Sequence, residues 1–137
     1  DAFDVVSNIG SLEHYVSMYA AVQEMTRILK PGGRAYVLVP NTFSILVNVW
    51  NALRKGSTSI DDQPIQRYGA RIEWQRILES AGLVVRKTIK YEREWPRTHS
   101  DRLHYLSHPK EMVRLLLTPF IPLNWAFCFV FVLEKPK

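Results

Sequence analysis

Phe3-Asp4-Val5-Val6-Ser7-Asn8-Ile9-Gly10-Ser11-Leu12-Glu13-His14 and Leu29-Lys30-Pro31-Gly32-Gly33-Arg34-Ala35-Tyr36-Val37-Leu38-Val39-Pro40-Asn41 frame a stretch of helical periodicity. The run from Phe3 to Ile9 is short, apolar and closed by Gly10, the pattern expected of a buried parallel strand. From about Val16 to Lys30, Met18, Val22, Met25 and Leu29 recur at helical spacing, while Gln23, Glu24 and Arg27 fall on other faces. Pro31-Gly32-Gly33 is expected to stop that helix, since proline cannot continue the hydrogen-bond ladder and glycine accepts a left-handed terminus. Ala35 to Val39, rich in β-branched and apolar residues, predicts the next strand.

Outward from this core the alternation continues. Asn41 or Thr42 can cap a second helix running to about Lys55 and closed by Gly56. Its face of Ile45, Leu46, Val49, Trp50 and Leu53 is unusually apolar. Ser57 to Tyr68, with Asp61, Asp62 and Pro64, reads as a surface loop. A third helix is expected over Ile72 to Ser80, with Trp74, Ile77, Leu78 and Ala81 inward and Gly82 as its stop. Leu83 to Arg93 reads as a strand, Pro96 to Ser107 as a loop, and Pro109 as the start of a short helix. Trp125 to Leu133 is a last strand, apolar on both faces. Strand and helix in this order predict a layered α/β sheet with helices on both faces.

The order and spacing of Asn8-Ile9-Gly10, Leu12-Glu13-His14, Leu29-Lys30-Pro31-Gly32-Gly33 and the following strand resemble a class I S-adenosylmethionine-dependent methyltransferase of the small-molecule type. The resemblance implies that residues 1–137 form the C-terminal part of a single Rossmann-like methyltransferase domain, with an insertion over about 95–123. In that family the last strand runs antiparallel between its two predecessors, and Trp125 to Leu133 suits the slot. A glycine-rich cofactor loop is then expected in sequence preceding Asp1.

Ligands of open α/β sheets sit beyond the carboxyl ends of the strands, which brings Ser7 to His14 and Pro40 to Ser44 to one crevice. The resemblance implies that Ser7, Asn8, Ile9 and Gly10 line the methyl-donor end of S-adenosylmethionine. A side chain at Gly10 would crowd a ligand, although a plain tight turn also accounts for the glycine. His14 suits a general base for a hydroxyl or amine acceptor, and Glu13 can orient it or hold the substrate. The simpler reading makes Glu13 a helix-capping residue and His14 a packed one. Some RNA-methylating relatives place a further glutamate three residues before such a Glu-His pair and bind a metal. Gly10 stands there, which argues against both metal and nucleic acid.

Asn41 is a candidate for hydrogen-bonding substrate or for capping the next helix. His99, Asp101, His104 and His108 are zinc-compatible residue types, but Pro109 breaks the helix that would align them, so no metal is assigned. The 95–123 insertion instead reads as a cover over the crevice, with Arg97 and His99 among the groups meeting an anionic, small-molecule or saccharide-like substrate.

The 137 residues are 47% hydrophobic and 23% charged, an ordinary globular composition for one domain. The formal charge of +5 gathers between Arg86 and Arg114. Cys128, the single cysteine, excludes an internal disulfide and fits a reducing, cytoplasmic setting. Leu115 to Leu133 carries no charge, but Pro119 and Pro122 interrupt it. A transmembrane span is therefore not expected, while a peripheral membrane contact through Leu115 to Leu123 stays open. An edge strand would favour homodimers. The alternative to an enzyme is a non-catalytic methyltransferase-like scaffold; a dehydrogenase would need a G-x-G-x-x-G fingerprint and leaves Leu-Lys-Pro-Gly-Gly unexplained.

Overall fold

The computed structural model describes residues 1–58 and 63–137, so Asp61 and Asp62 of the expected surface loop lie outside the described residues. Four strands form one sheet: β1 (Phe3–Ile9), β2 (Leu29–Pro40), β3 (Val84–Tyr91) and β4 (Cys128–Glu134), in the order β1-β2-β4-β3. β1 and β2 are parallel, and β4 runs antiparallel to both β2 and β3. The last strand thus lies antiparallel between its two predecessors, as expected. β1, β2 and β3 consequently point their carboxyl ends to one edge.

The register explains the core. Ala35 opposes Leu133, Val37 opposes Phe131 and Val39 opposes Phe129, and all six are fully buried. Such facing pairs on one sheet surface are the unit of sheet stabilisation. α1 (Met18–Ile28) and α3 (Arg71–Glu79) cover that surface, delivering Val22, Met25, Trp74 and Leu78. The Ser17 hydroxyl caps α1 by accepting from the Ala20 amide at 3.2 Å.

Three expectations are corrected. First, α1 ends at Ile28, and Pro31-Gly32-Gly33 lies inside β2 as an irregularity. Lys30 precedes proline and so disfavours helix, while Lys135 Nζ donates to the Thr26 and Leu29 carbonyls at the helix end. Gly33 is required by close approach: a Cβ there would sit 2.5 Å from Leu29 Cδ2 and 2.8 Å from the Lys30 carbonyl. Second, Pro96 to Ser107 is not all loop. α4 spans His99–Ser107, started by Thr98 and Asp101, whose side chains each accept from the other's backbone amide. α5 (Pro109–Leu117) follows after His108. Third, β1 is parallel but not buried: Phe3, Val5 and Ile9 are exposed, because β1 lies at the sheet edge and only Val6 and Asn8 turn towards α1.

Candidate active site at the carboxyl edge

Beyond Ile9 the chain turns at Gly10, whose φ of +62° is a glycine conformation. Leu12–His14 then forms a single 3-10 turn. Glu13 folds back beneath it, with Oε1 3.9 Å from where a Gly10 Cβ would stand. Both Leu12 and Glu13 are buried. His14 Nδ1 lies 2.7 Å from the Ile65 carbonyl. A carbonyl can only accept, so Nδ1 carries a proton, and in the neutral ring Nε2 bears the lone pair. Glu13 Oε1 is 3.8 Å from Nε2, close enough to stabilise an imidazolium once Nε2 takes a proton. Sequence reasoning paired these two residues, and the structure brings them together.

A strap over 65–69 holds this turn and has no local sequence signature. Arg67 donates to the carbonyls of Glu13, Tyr15 and Val16. Gly69 bridges Asn41 and accepts from the Thr42 amide at 3.2 Å. A Cβ on Gly69 would stand 2.9 Å from the Trp74 indole, which itself donates to the Pro40 carbonyl at 2.8 Å. The strap therefore fixes the tips of β1 and β2 relative to each other. Read as sequence, it is a polar loop with no periodicity.

Asn8 is buried with Nδ2 3.9 Å from Met25 Sδ, and its Oδ1 has no hydrogen-bond partner among the described residues. An orphaned buried acceptor costs about 1–3 kcal/mol unless something donates to it. Asn8 Oδ1, the open turn at Gly10 and the Glu13 carboxylate together fit a ligand with donor groups and positive charge. Ser7 and Ile9 point to the exposed face of β1, so their contribution to such a ligand is through backbone.

Asn41 is fully buried and its side chain is spent internally. Its Nδ2 donates to the Asn124 and Ala126 carbonyls at 2.9 and 2.8 Å, and its Oδ1 accepts from Phe43 N at 3.0 Å. It does not cap the next helix, which starts later as a π turn (Ile45–Val49) continuing into α2 (Trp50–Lys55). Asn41 instead fastens 124–127 to β2, and that segment walls a cavity of about 270 Å³. Tyr91, Glu92, Tyr105, Arg114, Trp125 and Phe127 are among its lining residues. None of Asn8, Gly10, Glu13 or His14 reaches it. Glu92 Oε1 accepts from the Phe127 amide at 2.9 Å. Burial raises the Glu92 carboxyl above the usual range, outweighing that hydrogen bond and the nearby Lys90 and Arg93 charges.

Several basic residues in and just before the insertion are occupied. Arg93 and Arg114 both pair with Glu111, Arg97 lies 3.8 Å from Glu94, and Lys90 Nζ donates to the carbonyls of Thr118, Pro119 and Ile121. Arg97 lines a separate pocket beside α4 rather than the cavity at Tyr91 and Phe127, and His99 lines neither. His104 and His108 stack at 4.3 Å between ring centres. Among the described residues no group of three or more His, Cys, Asp or Glu is placed to hold a metal. Nor is any described helix long and apolar enough to cross a membrane.

Comparison with known proteins agrees with the fold and the first segment. A family model described as a methyltransferase domain matches residues 1–37. The uncharacterized protein YafE of Escherichia coli (strain K12) is 32% identical over 90 residues, covering 65% of this chain and 42% of YafE. An S-adenosylmethionine-dependent methyltransferase from Mesorhizobium loti superposes with a TM-score of 0.57 at 11% identity, over 98% of this chain and 62% of that one. The N-methyltransferase NodS from Bradyrhizobium japonicum WM9, in complex with S-adenosylhomocysteine, gives 0.51 at 14% identity, over 100% and 48%. The resemblance to class I methyltransferases read from Phe3 to Asn41 is thus upheld, and the fold is Rossmann-like. The chain spans less than half of the curated relative's length.

Proposed function

We propose that this chain supplies the acceptor side and part of the methyl-donor side of an S-adenosylmethionine-dependent methyltransferase acting on a small-molecule or saccharide-like acceptor. The observation that carries the reading is the tip of β1. There Asn8 Oδ1, without a hydrogen-bond partner among the described residues, and the Gly10 turn stand near a buried Glu13 whose Oε1 lies 3.8 Å from His14 Nε2. S-adenosylmethionine, when bound, supplies an electrophilic methyl group on a sulfonium. Asn8 Oδ1 would accept from a donor on its methionine portion, and the Ser7 to Gly10 backbone would lie along it. His14 Nε2 would remove the acceptor's proton, with Glu13 stabilising the cation formed. The cavity beside the segment that Asn41 fastens would hold the distal part of an acceptor, with Tyr91, Tyr105 and Trp125 as walls and Glu92 as a polar anchor, and the reacting group would extend beyond the cavity to meet His14.

Alignment supplies much of the acceleration in such a displacement, which gives the strap over 65–69 a function as well as a fold role. The lone buried thiol of Cys128 accords with a cytoplasmic enzyme. The exposed edge of β1 supports pairing with a second copy.

The test is release of S-adenosylhomocysteine by the full-length protein against a panel of hydroxyl- and amine-bearing acceptors. His14→Ala is expected to lower kcat by about 10²–10⁴-fold while leaving cofactor affinity unchanged. Full turnover in the variant removes the base assignment. Cofactor binding without turnover on any acceptor favours the scaffold reading.

A further inference from the structure

A groove of about 670 Å³ runs between α2 and α5. Its floor is apolar, with Ile45, Leu46, Trp50, Val113 and Leu117. Its rim is cationic, with Arg54, Lys55 and Lys110. Among the described residues, none of these three makes an ion pair, in contrast with Arg93, Arg97 and Arg114. Arg54 lies over the Trp50 ring, 5.5 Å from its centre, and holds that indole on the surface.

The apolar character extends past the groove. Leu53 is 79% exposed on α2, and Phe120, just after α5, is 81% exposed. Large apolar side chains exposed to this degree, on or next to two helices that also carry Trp50 and cations without ion pairs among the described residues, are what an interfacial helix pair presents to lipid. A nucleic acid would use the cations but gains nothing from Leu53 or Phe120. A twofold dimer through this face would bring the same cations of two copies against each other.

From this charge and shape we propose that the α2–α5 face docks peripherally on an anionic membrane surface, with Leu53, Trp50 and Phe120 entering the headgroup boundary and Arg54, Lys55 and Lys110 meeting lipid phosphates. Leu46 and Arg114 line both the groove and the cavity at Tyr91 and Phe127, so the docking face adjoins the proposed acceptor pocket. The proposal stands without the methyl-transfer reading, because it rests on surface charge and exposure alone.

The experiment is co-sedimentation of the full-length protein with vesicles of phosphatidylcholine alone and of phosphatidylcholine mixed with phosphatidylglycerol. Binding is expected only to the mixed vesicles, falling as salt is raised. Each basic group near an anionic surface is worth about a fivefold change in partition. The triple variant Arg54→Gln, Lys55→Gln, Lys110→Gln should therefore bind on the order of a hundredfold more weakly. Leu53→Ser with Phe120→Ser should also release the protein, although every charge remains. Circular dichroism of both variants should match the parent, since all five side chains are exposed. No sedimentation of the parent with anionic vesicles overturns the proposal. So does equal binding by the triple variant, or a dimer in gel filtration that Leu53→Ser abolishes.

Discussion

β1 and β4 are seven-residue apolar strands of one sheet, yet Phe3, Val5 and Ile9 lie more than half exposed while Phe129, Phe131 and Leu133 are fully buried. Their compositions do not differ enough to explain this. Position does. β4 is flanked by β2 and β3 and covered by α1 and α3, whereas β1 has one strand neighbour and turns only alternate residues to α1. The consequence is a division of labour: β4 holds the fold together, while the tip of β1, Asn8 to His14, is the part to which the proposed function assigns a ligand.

Phe131→Ala should break this arrangement most severely, at about 3–5 kcal/mol for a buried aromatic, read by urea unfolding. Val5→Ala should change stability by less than about 0.5 kcal/mol. Similar losses from both would mean that the outer face of β1 is covered in solution, and the contrast would fail.

The two buried asparagines sharpen the same point. Asn41→Leu strands the Asn124 and Ala126 carbonyls and the Phe43 amide, so a loss of roughly 1–3 kcal/mol per group left without a partner is expected. Asn8→Leu removes an acceptor that nothing satisfies, and its stability should be unchanged or slightly raised. A large loss from Asn8→Leu would show that Oδ1 is already paired within the fold and is not kept for a ligand.

The smallest effect is pH-dependent. The Glu92 carboxyl is raised above its usual 4.5, chiefly by burial, so the folded state holds its proton more tightly than the unfolded chain does. Below 4.5 both states are protonated and the group is neutral in effect; as pH rises from there through the raised folded value, stability is lost. Glu92→Gln keeps an acceptor for the Phe127 amide and should be the more stable protein above that window, with the difference vanishing in acid. A difference that persists unchanged in acid would assign the effect to packing instead of ionisation.

Much of the sheet was legible because parallel strands and their covering helix announce themselves in apolar runs and helical spacing. The antiparallel placement of Cys128–Glu134 came from resemblance and was upheld. The start of β2 was hidden, since Pro31-Gly32-Gly33 reads locally as a terminator, and it is the pairing of Leu29 with Phe3 and of Arg34 with Val5 that makes it strand. α4 was missed although Thr98 and Asp101 spell a capping box, because His99–Ser107 buries nothing and so lacks an apolar stripe. At the site, the Glu13-His14 pair was readable from adjacency in sequence. Arg67, Gly69 and Glu92 were not, because their partners lie 35 to 54 positions away or, for Gly69, in an indole ring.

Calorimetric titration of S-adenosylmethionine into the full-length protein and into its Asn8→Leu variant tests the central claim most directly. The account predicts saturable binding to the parent, weakened about tenfold or more in the variant for the loss of a hydrogen bond to a charged group. No heat of binding to the parent at millimolar cofactor, or equal affinity in parent and variant, would contradict it.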